Sequence, residues 1–143
     1  EDSIAQMKKQ GKKIKFLYLV PNFANPSGVT LSAERRPKIL EICKREHILI
    51  LEDNPYGLLY FDKPVPDALR ATDEEGVIYL GSFSKILAPG FRVGYVLAPP
   101  AIRDKLVLAQ ESALLLRRWL LASPMATTRV CQRNSSRRCS CSR

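Results

Sequence analysis

Four short apolar runs constrain this chain more than any other feature. They are residues 14–20 (IKFLYLV), 48–52 (ILILE), 77–80 (VIYL) and 93–98 (VGYVLA). The runs do not alternate apolar with polar residues, so they predict strands covered on both faces. A helical stripe of Ile39, Leu40, Ile42 and Cys43 lies within residues 33–46, and a last amphipathic helix is expected over 100–115. Strand, helix, strand, long connection, strand, loop, strand, helix is the order of an α/β fold. Its sheet is expected to be mostly parallel and flanked by helices. In such sheets ligands bind beyond the carboxyl ends of the strands.

Local signals fill in the rest. Residues 1–11 resemble the end of a helix, with Gly11 as its C-cap. PNFANPSG, at 21–28, is rich in Pro, Asn and Gly and predicts a loop. Ser32 is placed as the N-cap of the next helix. Pro37 fits that helix poorly, because proline removes an N–H and crowds the preceding turn. Residues 54–76 are loop-rich, and His47, the only histidine, has the position of a helix cap or surface residue.

Each of the first three runs ends in a polar cluster: Asn22 and Asn25, then Asp53 and Tyr56, then Ser82, Ser84 and Lys85. Lys85 lies among Phe83, Ile86 and Leu87. A lysine in apolar surroundings loses preference for its charged form and gains nucleophilicity, as a Schiff-base lysine needs; the ordinary alternative is a surface loop lysine. Arg92, with the Ser82 and Ser84 hydroxyls, suits a phosphate clamp, or else a solvated ion pair. Asp53 either caps the Asp-Asn-Pro-Tyr turn or faces a cationic ligand. Tyr56 is a ligand donor or a half-buried aromatic, and Asn25 a ligand donor or a turn former.

The composition narrows the classes. The 143 residues carry 23 Lys and Arg against 14 Asp and Glu, a net charge of +9. Residues 1–116 hold 16 basic and 14 acidic residues, while 117–143 hold seven arginines and no acid, so the excess belongs to the end of the chain. No run approaches the roughly 18 apolar residues of a membrane span. A lone Cys43 in the first part suits a reducing, cytoplasmic setting. Cys131, Cys139 and Cys141 lack the paired spacing of a zinc site, so no metal is expected. From 117 onward Arg, Ser and Cys rise together and Lys disappears. We read this tail first as a shifted reading frame and second as a disordered terminus. The third reading is a basic arm, but no aromatic interleaving supports a nucleic-acid partner. The expected division is therefore 1–116 as folded domain and 117–143 as a basic tail outside it.

In order, PNFANPSG, EDNPYG and GSFSKILAPGFRVGY resemble the core of the fold-type-I pyridoxal-phosphate aminotransferases. The likeness is to the subgroup acting on aromatic amino acids and 2-aminoadipate, and it runs from about residue 14 to 110. The resemblance implies part of the large domain of such an enzyme, with pyridoxal 5'-phosphate as cofactor. It implies Lys85 as the Schiff-base lysine that also shuttles the substrate Cα proton, and Asp53 as partner of the pyridine nitrogen. Asn25 and Tyr56 are implied as donors to the phenolic oxygen, and Ser82, Ser84 and Arg92 as the phosphate group's ligands. The implied reaction moves an amino group from an L-amino acid to a 2-oxo acid, in a homodimer.

Two other outcomes share these residues: a transcriptional regulator with an aminotransferase-like domain, and a β-lyase. The family pattern also needs a phosphate-binding helix start, an aromatic residue stacked on the pyridine, and an arginine for the substrate carboxylate. None matches here, and Arg117 and Arg118 have no motif around them. With Glu at position 1, the chain is expected to be a piece of a longer protein that folds poorly and transaminates weakly by itself.

Overall fold

The structure is a computed structural model in which residues 2–120 are described. Helix α1 (Asp2–Lys9) leads to strand β1 (Phe16–Leu19), helix α2 (Arg35–Arg45) and strand β2 (Leu49–Asp53). A one-turn helix α3 (Leu69–Thr72), strand β3 (Val77–Ser82), strand β4 (Gly94–Leu97) and helix α4 (Pro100–Leu120) follow. The sheet order is β1-β2-β3-β4. The first three strands are parallel and β4 is antiparallel to β3, so the sheet is mostly parallel, as expected. The proposed tail overlaps the end of α4; residues 121–143 lie outside the described residues.

The core lies on one face of the sheet. Leu40 and Cys43 of α2 and Leu69 of α3 pack with Ile48, Ile50 and Val77. Burial pushes the Cys43 thiol up from its ordinary value. Coverage of both faces does not hold among the described residues. Residues of β2 alternate between half-buried and buried, and Phe16 and Tyr18 of β1 are each 53% exposed. The reason is geometric: α2 and α3 both pack on the face that carries Ile50 and Val77.

The helix ends show which local signals were sufficient. After α1, the Gly11 N–H bonds the Lys8 carbonyl and the Lys12 N–H bonds that of Met7, with Gly11 at φ +68°. This is the expected glycine cap. The same hydrogen-bond pattern ends α2, where His47 stands at φ +54° in the glycine position. Ser32 is not the N-cap. Helix α2 starts later, after Glu34, without a side-chain cap. The Glu34 carboxylate accepts its own backbone N–H and, secondarily, a hydrogen bond from Ser32, and these hold that group below its ordinary value. Because the helix starts at Arg35, Pro37 falls in the first turn, where N–H groups have no intrahelical partner to lose.

Candidate active site

Strands β1, β2 and β3 deliver their polar clusters to one rim because they run parallel and adjacent. In register, Leu19 pairs Glu52, and Asp53 pairs Leu80. The ladder continues one step further, with the Asn54 N–H on the Leu80 carbonyl at 3.0 Å.

The loop after β1 closes on itself. The Leu31 N–H meets the Pro21 carbonyl at 2.7 Å, the Ala24 N–H meets the Val29 carbonyl at 3.0 Å, and Thr30 Oγ1 accepts the Phe23 N–H at 3.2 Å. Asn25, followed by a cis Asn25–Pro26 bond, lies exposed near its tip. Asn25 and Tyr56 line one open cavity of about 800 Å³, together with Phe23, Leu59, Tyr60 and Lys63. Asp53, Ser82, Ser84, Lys85 and Arg92 do not line it.

Asp53 is half-buried and accepts the Tyr18 hydroxyl at 2.6 Å on Oδ2. That bond to a carboxylate is the first reason the Tyr18 phenol is held above its ordinary value; burial and the charge of Asp53 act in the same direction. Ser82 and Ser84 are joined, since Ser82 Oγ accepts the Ser84 N–H at 3.1 Å. Lys85 and Arg92 share the next loop, which the Phe83 N–H closes on the Val93 carbonyl at 3.0 Å. Both are exposed, so the apolar surroundings expected for Lys85 are absent among the described residues. The loop folds back on Phe83 and Val93 and turns its tip outward; Phe83 and Leu87 are themselves exposed. Arg92 holds a left-handed backbone at φ +52°.

Behind the rim lie groups whose structural role the sequence reading did not assign. Arg36 of α2 is 5% exposed, and Asn22 and Glu52 are 0% exposed. Arg36 Nη2 donates to Asn22 Oδ1 at 2.7 Å, and Asn22 Nδ2 donates to Asn54 Oδ1 at 3.0 Å. Glu52 accepts the Leu69 and Arg70 N–H groups, both at 3.0 Å, and so fixes α3. Burial lowers the Arg36 guanidinium from its ordinary value, opposed first by the charge of Glu52. Tyr79, stacked on Tyr95 at 6.1 Å, is pushed up to about 12, chiefly by burial and then by Tyr95. One signal could have revealed Arg36: it shares a helical stripe with Leu40 and Cys43, at spacings of four and three, and these are the buried residues of α2.

The donor types fit pyridoxal 5'-phosphate: a carboxylate, an amide and a phenol, two hydroxyls, an amine and a guanidinium lie at or in the loops that follow three adjacent parallel strands. Comparison with known proteins agrees. Residues 1–132 match the family model for aminotransferase class I and II, and the chain belongs to that family. It is 47% identical over 113 residues to aromatic-amino-acid aminotransferase 1 of Thermococcus litoralis, covering 78% of this chain and 27% of that protein. The structure of Pyrococcus horikoshii kynurenine aminotransferase, in complex with PMP, matches with a TM-score of 0.74 and 42% identity. That match covers 78% of this chain and 28% of the other. A third relative, an HTH-type transcriptional regulator of Bacillus subtilis, is 42% identical over 91 residues, covering 63% of this chain and 19% of the regulator. The chain thus spans about a quarter of the length of the aminotransferases it matches. Among the described residues no helix is long and apolar enough to cross a membrane.

Proposed function

We propose that the protein containing this chain is a pyridoxal-phosphate aminotransferase that moves an amino group from an L-amino acid to a 2-oxo acid. The observation that carries the reading is the delivery of three polar clusters to one rim by three adjacent parallel strands, in a chain of this family. When bound, pyridoxal phosphate supplies an electron sink for the pair left at the substrate Cα. Asp53 pairs with the pyridine nitrogen and keeps its proton in place. Asn25 and Tyr56 donate to the phenolic oxygen. Ser82, Ser84 and Arg92 hold the phosphate, the arginine supplying the charge and the serines neutral donors. Lys85 Nζ binds the cofactor and carries the proton to and from the substrate Cα.

The aromatic and kynurenine aminotransferases among the relatives support an aromatic substrate. The family resemblance supports a homodimer, and the lone Cys43 of the described residues, present as a buried free thiol, supports a cytoplasmic setting. The division into a folded part, 1–116, and a basic tail, 117–143, stays part of this reading.

The test is spectroscopic. Full-length protein with pyridoxal phosphate is expected to show a visible band, and borohydride is expected to fix the cofactor on Lys85. Lys85→Ala should show no band. Label elsewhere, or none, overturns the reading. The Bacillus subtilis relative favours a second reading, a cofactor-binding regulator. The band at Lys85 without any amino transfer would select it.

A further inference from the structure

We propose that Arg36, acting through Asn22 and Asn54, is a positioning residue that locks the loop carrying Asn25 to the segment carrying Tyr56, so that both side chains reach one oxygen of the cofactor. The inference rests on the functional reading above, which makes Asn25 and Tyr56 joint donors.

The two segments are tied at both ends. Asn22 opens the first loop and Leu31 closes it; Asn54 opens the second segment and Asp67 lies at its far end. Arg36 bonds both far ends: Nη2 and Nε donate to the Leu31 carbonyl at 3.2 and 3.3 Å, and Nη1 donates to the Asp67 carbonyl at 2.7 Å. Arg36 also holds Asn22, and Asn22 bridges to Asn54, so the openings are joined as well. Asn25 follows Asn22 by three residues, and Tyr56 follows Asn54 by two. No apolar side chain could replace this, because only a planar fork of donors satisfies three acceptors on two segments at once. Burying a charge is costly unless it is hydrogen-bonded, and here every buried side-chain polar atom among the described residues has a partner. Gly57 completes the arrangement: a Cβ there would lie 2.5 Å from the Asn54 amide.

The experiment uses full-length protein loaded with pyridoxal phosphate. The readouts are the pH midpoint of the visible band, the affinity of the apo-protein for the cofactor, and the melting temperature. Donors to the phenolic oxygen lower that midpoint, so misplacing them raises it. Asn22→Leu is expected to raise the midpoint by about one pH unit, about tenfold in the protonation equilibrium, and to weaken cofactor affinity by a similar factor. Asn22→Asp should restore both values, since its carboxylate accepts from Arg36 and from a reversed Asn54 amide. A lowered melting temperature with an unshifted midpoint overturns the proposal, as does an Asn22→Asp variant that behaves like Asn22→Leu. If Asn22→Leu does not fold, Gly57→Ala displaces the Asn54 amide while leaving Arg36 and Asn22 unaltered. The same upward shift is expected there, and an unshifted midpoint overturns the proposal. A parent protein with no band at Lys85 removes the functional reading and this inference together; a parent with the band and unshifted variants removes this inference alone.

Discussion

Under the β1–β2 end of the rim, Arg36, Asn22 and Glu52 are buried and fully hydrogen-bonded. Beyond β3, Lys85 and Arg92 stand exposed on a loop held by backbone bonds and by Tyr95, which packs against Phe83 at 5.6 Å. The first half is set by interactions internal to the described residues. The second is fixed at its base and open at its tip. A chain spanning about a quarter of its relatives therefore contains one half of the candidate site already braced and one half presented to solvent.

The largest effect should come from exchanging the two arginines' roles in experiment. Arg36→Met removes donors from Asn22, Leu31 and Asp67 and takes away a positive charge that interacts with buried Glu52. It is expected to cost about 3–5 kcal/mol in denaturant unfolding of the full-length protein. Arg92→Met should leave stability within about 0.5 kcal/mol, since the side chain is exposed. Its effect should appear instead as roughly ten- to a hundredfold weaker binding of pyridoxal phosphate, the loss of one charged hydrogen bond. Equal stability losses in the two variants would break the comparison.

A smaller effect is expected where the exposed half is anchored. Gly81 pairs Tyr95 across β3 and β4, and a Cβ at Gly81 would lie 2.2 Å from the Tyr95 ring. Gly81→Val should displace that ring and cost about 1–3 kcal/mol through overpacking. The near-ultraviolet dichroism of the Tyr79, Tyr95 and Phe83 group should change with it. Parent-like stability and dichroism would show that the ring moves freely and does not anchor the loop.

The same contrast explains what could be read from the residues alone. The strand runs and their order were legible because β2 and β3 carry the apolar residues of the core and the polar break comes where each strand ends. The Gly11 cap was legible because glycine favours a positive φ; the helix-end position of His47 was legible from its place before the second strand, but its left-handed backbone was not, because glycine is the ordinary residue there. The motif positions were legible from type and order. The brace beneath them was not, because an arginine on an amphipathic helix ordinarily faces water. Arg36 becomes buried only through acceptors from Leu31 and Asp67, which are distant contacts of the fold. Exposure of β1 was hidden for the opposite reason: FLYL describes apolar side chains and not what covers them.

Helix α2 allows the comparison to be sharpened within one element, since its first turn holds the buried Arg36 and its C-cap, Glu46, an ion pair with the exposed Lys8. Glu46 accepts a hydrogen bond from Lys8 of α1, and that bond, helped by the Arg45 contact and opposed by burial, holds its carboxyl below the usual value of 4.5. A carboxyl lowered in the folded state stabilises the protein above its unfolded value and loses that contribution as pH falls through the folded one. The parent protein should therefore lose a small increment of melting temperature below about pH 4.5 that Glu46→Gln never has, with the two curves converging in acid. The difference at neutral pH should be the smallest of those above and should shrink in high salt, which screens exposed charges. The Arg36→Met loss should persist in the same salt, because the guanidinium itself is buried. A Glu46→Gln effect as large and as salt-resistant as that of Arg36→Met would mean that burial is not what separates the two ends of α2.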